Sequence, residues 1–127
     1  MVLNSATFYN QLETVYLKKT NKNRYIDILV YNHSRVTCSS SANFYCNASH
    51  MKSVLDGKDF AIFAQAPTPE GFFEFWEMIY EKNIKSIIML CSFDDPKRGR
   101  QAEQYWPDFN KELIVKHIDL TIKATEQ

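Results

Sequence analysis

Residues 59–91 constrain the fold more than any other stretch, because a strand, a helix and a second strand are written there with their boundaries. Phe60, Ala61, Ile62, Phe63 and Ala64 form a short apolar run of β-forming residues. Pro67 and Pro69 close it, since neither can donate to a ladder. The run reads as a buried strand over 59–65. Thr68 then supplies an N-cap hydroxyl, Pro69 a favoured first helical residue and Glu70 a carboxylate for the helix dipole. Phe72, Phe75, Trp76 and Ile79 follow at i, i+3, i+4 and i+7, so one face of the helix is aromatic and faces a core. Asn83 offers a left-handed end. Ile87, Ile88, Met89, Leu90 and Cys91 are apolar on both alternating faces, as in a strand covered from both sides. The order predicts a right-handed crossover between parallel strands.

The rest of the chain is laid against this unit. Ser5 caps a predicted N-terminal helix carrying Phe8, Leu12, Val15 and Tyr16 at helical spacing as far as Lys18. Residues 18–24 are polar and basic, which suits a helix C-terminus followed by a solvated loop. Residues 25–31 and 36–38 read as short extended pieces, interrupted by Asn32, His33, Ser34 and Arg35. Ser39, Ser40 and Ser41 form a loop, 44–48 a strand, Asp56 and Gly57 a turn, and 94–99 a charged loop around Pro96. At the end, residues 113–122 alternate, with Ile114, Ile118, Leu120 and Ile122 on one face, and read as one half-buried strand.

Composition narrows the function. A chain of 127 residues with 45% hydrophobic content forms one globular domain with a real core. Fifteen basic and fifteen acidic residues cancel, so no broad field holds a nucleic-acid backbone or an anionic membrane. No apolar run approaches the ~20 residues of a membrane span, and the N-terminus lacks a signal-peptide pattern, so the expected address is cytoplasmic. Cys38, Cys46 and Cys91 are odd in number, with no C-x-x-C pair and no metal-spaced histidine nearby. They are expected as reduced, buried thiols, with no metal and no cofactor.

From Asn23 the chain reads NRYIDILVYNHSRV, and with this run it resembles the tyrosine-specific protein phosphatases of the cysteine-dependent class. Asn47, Ala48 and Ser49 match that family's N-A-S segment, and Gln65, Ala66 and Pro67 its Q-G-P. Phe75 and Trp76 match its F-W helix, and Gln104, Tyr105, Trp106 and Pro107 its Q-Y-W-P. The resemblance runs from about residue 21 and implies an α/β fold, a twisted mixed sheet with flanking helices. Residues 1–127 would then be a single, incomplete protein tyrosine phosphatase domain.

The resemblance also implies a missing centre. In this family the nucleophile is the Cys of H-C-x5-R, helped by an Asp on a W-P-D loop and a later Gln, and the chain ends before these landmarks. Without the thiolate and its anion-holding loop, no catalytic residue is expected here. Trp106, Pro107 and Asp108 spell W-P-D, but the Trp and Pro belong to Q-Y-W-P, so Asp108 is not expected to act as a general acid. Cys91 with Arg98 imitates the Cys, loop, Arg layout one residue too long, with Asp94 and Asp95 where a phosphate would sit. Cys91 is expected instead to be a small core residue at a strand end.

One wall of the family's substrate pocket is implied by the matches. Tyr25 matches the Tyr that stacks on the substrate's phosphotyrosine ring, and Asp27 the Asp that holds the substrate backbone. Arg24, His33, Ser34 and Arg35 match positions expected to form a polar network beneath that loop. Three positions depart from the pattern: Ala66 replaces a Gly, and Gln101 and Ala102 replace a Lys and a Cys. Three functional readings result. The chain is an inactive fragment or pseudophosphatase that works by protein binding, the front half of an active phosphatase, or an interaction module completed by a partner chain. Partners are expected to be proteins, phosphotyrosine proteins or a complementing chain among them, and self-association is expected from open strand edges.

Overall fold

The computed structural model describes residues 20–125, so the predicted helix over 5–18 lies outside the described residues. Ala48–Lys52 (β1) and Asp59–Ala64 (β2) pair antiparallel, with Ala48 opposite Ala64 and a register shift between Met51 and Lys52. Their connection closes where Ser53 N–H donates to the Lys58 carbonyl (2.8 Å) and Gly57 takes a left-handed φ of 70°. A 3₁₀ turn over Pro69–Gly71 leads into helix α1, Phe72–Glu81. Asn83 ends it at φ 54°, the left-handed position the sequence suggests. Two further antiparallel hairpins follow. Asp94–Asp95 (β3) pairs with Gly99–Arg100 (β4), and Glu112–Val115 (β5) with Leu120–Lys123 (β6).

The architecture is α/β, with its core between α1 and the segment leading into β1. Phe75 and Met78 are buried against Val36, Cys38, Phe44, Cys46, Ala48 and Tyr105, while Phe72, Trp76 and Ile79 pack around them. These are the apolar positions of the helix period, so the aromatic face meets the core as predicted. Phe75 lies 4.8 Å from the Tyr105 ring, and Trp76 Nε1 donates to the Tyr105 carbonyl (2.6 Å). Helix α1 also buries Glu77, whose carboxylate accepts from the Ser40 hydroxyl.

Several expectations are corrected. Residues 84–90 form no strand, and the ladders among the described residues are all antiparallel, so no parallel crossover is made. No described strand lies beside this run to take its amides, and Ile88 and Leu90 stand 81% and 91% exposed. Strand β2 is present but not buried. Among the described residues it has one neighbour, its Ile62 packs on the core cluster, and Phe60 and Phe63 face outward. Thr68 does not cap the helix, because its hydroxyl donates to the Asn21 carbonyl (3.0 Å).

Nor do residues 44–46 join a ladder. The strand begins at Ala48, and Phe44, Tyr45 and Cys46 are buried as irregular chain. Residues 36–38 are likewise outside any ladder, tied by Val36 N–H to the Ala48 carbonyl (2.9 Å). The single strand expected over 113–122 is a hairpin, reversed by a 3₁₀ turn over Lys116–Ile118 and by Asp119 at φ 50°. Alternation continues through the reversal, which is why the pattern conceals it. The charged loop 94–99 is also a hairpin, turned at Gly99 with φ 75°.

Candidate functional site

The segment expected to be extended at 25–31 is a turn, with Ile28 N–H bonded to the Tyr25 carbonyl (3.3 Å). It takes this form because side chains distant in sequence satisfy backbone groups that a neighbouring strand would otherwise satisfy. Gln65 Oε1 accepts from the amides of Arg24 (2.9 Å) and Tyr25 (3.3 Å), and Gln65 Nε2 donates to the carbonyls of Tyr25 (3.3 Å) and Ile28 (3.2 Å). Asn47 Nδ2 donates to the Ile28 carbonyl (2.9 Å) and to Asn23 Oδ1 (2.8 Å), which also receives the Tyr45 hydroxyl (2.8 Å). Arg24 reaches back to the segment just after β2 that supplies Gln65, donating through Nε to the Ala66 carbonyl (3.0 Å) and through Nη2 to that of Pro67 (2.8 Å). Asn23, Asn47 and Pro67 are all buried. Burial pushes the Tyr45 phenol upward, against the lowering effect of its bond to Asn23.

Tyr25 and Asp27 stand outward on this turn, and Tyr25 is 37% exposed. The Tyr25 hydroxyl donates to Gln101 Oε1 at 2.7 Å across 76 residues of sequence. Gln101 Nε2 is held by the Gly99 carbonyl (3.0 Å), and its main-chain amide by that of Phe93 (2.7 Å). Sequence reasoning registered Gln101 only as a departure from the family pattern. A contact between side chains so far apart leaves no periodic signal.

Of His33, Ser34 and Arg35, expected beneath the turn, the last two meet its far end, where the Ser34 and Arg35 amides donate to the Tyr31 carbonyl (3.0 and 2.9 Å); among the described residues no bond joins the three to Gln65 or Asn47. The His33 ring lies 5.6 Å from that of Tyr31, and the Ser34 carbonyl accepts from His50 N–H (2.8 Å). Arg35 bridges to Ser49, and its Nε is buried without a partner. Gln104, Tyr105, Trp106 and Pro107 wrap the far end of the core. Tyr105 is buried, its ring meets Trp106 edge-on at 4.9 Å, and Gln104 Nε2 donates to the Trp106 carbonyl (3.2 Å) and Asp108 Oδ1 (2.9 Å).

The two apparent catalytic groups sit in surroundings set by their own neighbours. Hydrogen bonds from Lys111 and Gln104 hold the Asp108 carboxyl below its usual range, the reverse of what a general acid needs. After Cys91, the backbone amides of Lys97 and Arg98 both point to Asp95 Oδ1 (2.8 Å each). The loop therefore closes around its own carboxylate, and those bonds lower the Asp95 pKa. Cys91 is exposed, which corrects the expectation of a buried thiol, because the run it ends joins no ladder among the described residues. Cys38 and Cys46 are buried as expected, and burial pushes their thiols up to about 11 and about 12, far from a thiolate nucleophile. Among the described residues no group of three or more His, Cys, Asp or Glu is placed to hold a metal ion, and no helix is long and apolar enough to cross a membrane.

Comparison with known proteins places this geometry in context. The family model described as protein-tyrosine phosphatase matches residues 19–127. The chain is 30% identical over 126 residues to mouse tyrosine-protein phosphatase non-receptor type 2, covering 99% of the chain and 30% of that protein. It is 44% identical over 90 residues to chicken receptor-type tyrosine-protein phosphatase eta, covering 68% of the chain and 6% of that protein. The chain thus spans about a third or less of the length of these curated relatives. Among solved structures, the catalytic domain of human protein tyrosine phosphatase non-receptor type 18 superposes with a TM-score of 0.66 at 26% identity, over 85% of this chain and 45% of that one. A structure from work on the same phosphatase and HER2 tyrosine phosphorylation sites superposes with a TM-score of 0.70 at 28% identity, over 86% of this chain and 41% of that one.

Proposed function

Because this chain belongs to the protein-tyrosine phosphatase family, we propose that it serves as the peptide-facing part of a phosphatase domain and is catalytically silent by itself, binding protein partners through the turn at Tyr25 and Asp27. The observation that supports this reading most directly is the division of labour in the site. The turn is held by Gln65 and Asn47 with Tyr25 presented outward, whereas none of the three thiols stands in a ring of free amides. A ring-stacking wall contributes ~1 kcal/mol, enough to orient a peptide side chain but not to cleave a phosphate ester. In this reading residues 1–127 are one partial domain acting in the cytoplasm, in signalling, without cofactor, nucleic acid or membrane.

The test is turnover of an aryl phosphate by the purified chain. No hydrolysis above buffer is expected. Turnover that disappears in Cys91→Ser would overturn the reading and make Cys91 a nucleophile.

A second reading is favoured by the bare surfaces of Phe60, Phe63, Ile88 and Leu90, which invite cover by another polypeptide. Here the chain is the front half of an active phosphatase domain, or a module completed by a partner or a second copy. Mixing it with a polypeptide that supplies the remainder of a related catalytic domain decides between the two. Regained turnover selects the second reading, and continued silence in a formed complex selects the first.

A further inference from the structure

Two of the three thiols lie on segments that run past one another. His50 N–H donates to the Ser34 carbonyl (2.8 Å), Arg35 bridges to Ser49, and Val36 N–H donates to the Ala48 carbonyl (2.9 Å). The segments are antiparallel, so two residues beyond Val36 and two before Ala48 stand Cys38 and Cys46. The pairing breaks before it reaches them, because Ala48 N–H turns to the Cys46 carbonyl (2.8 Å). The four side chains nevertheless share one face: Val36, Cys38, Cys46 and Ala48 are buried in the same core cluster, while Thr37 between the first two is exposed. A turn in which Phe44 N–H donates to the Ser41 carbonyl (3.1 Å) joins the two segments. Cross-strand neighbours have Cα atoms roughly 4.5–5.5 Å apart, inside the range that a disulfide spans.

The cover over this pair is held by charge. Residues 39–41 follow Cys38 directly, and the Glu81 carboxylate at the end of α1 accepts the amides of Ser39 (2.8 Å) and Ser40 (3.1 Å). The Ser40 hydroxyl donates to Glu81 and to Glu77. Burial first, and then the Glu81 carboxylate, push the Cys38 thiol up to about 11. At neutral pH roughly one Cys38 in ten thousand is therefore the thiolate that attacks an oxidant. We propose that Cys38 and Cys46 are a latent dithiol, joined as an intramolecular disulfide by hydrogen peroxide when the serine loop lifts from Glu81. The Cys38 thiolate attacks one peroxide oxygen and expels hydroxide, which takes a proton and leaves as water. The Cys46 sulfur then displaces the remaining oxygen from the sulfenic acid, again as water, so two thiols give up two electrons and two protons to one peroxide. The closed ring would end beside Asn47, which holds the Ile28 carbonyl.

The experiment treats the full chain carrying Cys91→Ser, which removes the exposed third thiol, with hydrogen peroxide, alone and with Glu81→Ala added. Samples are alkylated, digested with trypsin without reduction and read by mass spectrometry. Cys38 and Cys46 fall in one tryptic peptide, 36–52, so the disulfide appears as that peptide unalkylated and lighter by two hydrogens, reversed by reductant. It is expected in both chains and about tenfold faster with Glu81→Ala, because opening of the loop gates the attack. Unchanged hydrogen exchange at the Phe75 and Met78 amides checks that the core stays folded. Should Glu81→Ala loosen those amides, Ser40→Ala replaces it, with an acceleration of about twofold expected from loss of the hydroxyl bonds alone. Sulfinic acid or cross-linked dimers in place of the light peptide overturn the pairing. Equal rates with and without the loop substitution overturn its control by the serine loop.

Discussion

The turn at Tyr25 and the run at 84–90 carry comparable numbers of backbone polar groups and dispose of them in opposite ways. In the turn, the amides of Arg24 and Tyr25 and the carbonyls of Tyr25 and Ile28 are taken by Gln65 and Asn47. Among the described residues, 86–90 make no hydrogen bond, although Ile87, Ile88 and Leu90 are strong strand formers. A polar side chain arriving from elsewhere can complete an irregular segment, whereas an apolar strand is completed only by another strand. Among the described residues the first region is satisfied and the second is not.

The core beneath the turn gives the largest effect by which to break this contrast. Trp76→Ala should lower stability by ~3 kcal/mol in a denaturant melt, through lost packing on Phe75 and Tyr105 and a lost bond to the Tyr105 carbonyl. Tyr25→Ala should change it by less than ~0.5 kcal/mol. Equal losses would mean that the Tyr25 wall is part of the core. Removing one tie of the turn comes next. Asn47→Ala should cost ~2 kcal/mol, because buried Asn23 Oδ1 and the Ile28 carbonyl each lose a donor, and hydrogen exchange at the Arg24 and Tyr25 amides should quicken.

The unfinished region predicts a change in association instead of stability. Light scattering at micromolar concentration should show dimers or larger species for the unaltered chain, and Leu90→Lys should move the population toward monomer with little change in the melt. A monomer that binds no hydrophobic dye would show that the bare face finds cover within the chain.

The smallest effect concerns Glu81, at the end of α1. Its carboxylate receives the amides of Ser39 (2.8 Å) and Ser40 (3.1 Å), and those bonds, that of Ser39 foremost, draw its pKa from 4.5 to about 2. A depressed carboxylate pKa contributes stability that is present above 4.5 and is lost as pH falls toward 2. Glu81→Gln should therefore flatten the acid limb of a stability profile between those values, leaving neutral pH little changed. An unaltered acid limb would mean that the serine loop holds without the carboxylate.

Much of the site could be read from the chain because its residues lie in contiguous, recognisable runs. Asn23, Arg24, Asn47, Gln65 and Pro67 were legible as motif members, and the structure joins them directly by hydrogen bonds or, for Pro67, through its carbonyl. Gln101 and Glu81 were not legible as partners, because each acts on backbone or side chain far away in sequence. Ser34 and Arg35, of the same motif run, tie to the segment at the Tyr31 carbonyl, and the His33 ring lies 5.6 Å from that of Tyr31, so the three hold a different part of it from Gln65 and Asn47.

By itself, the sequence determined the helix over Phe72–Glu81, its aromatic face, its left-handed end at Asn83 and the family to which the chain belongs, since periodicity, capping chemistry and motifs are local properties. Tertiary structure alone decided which apolar runs become strands. Residues 59–64 found β1 and formed a ladder, while 84–90 join no ladder among the described residues and leave Ile88 and Leu90 exposed. A helix satisfies its backbone from within its own residues, but a strand needs amides and carbonyls supplied from outside it, and no local pattern reveals whether they will arrive.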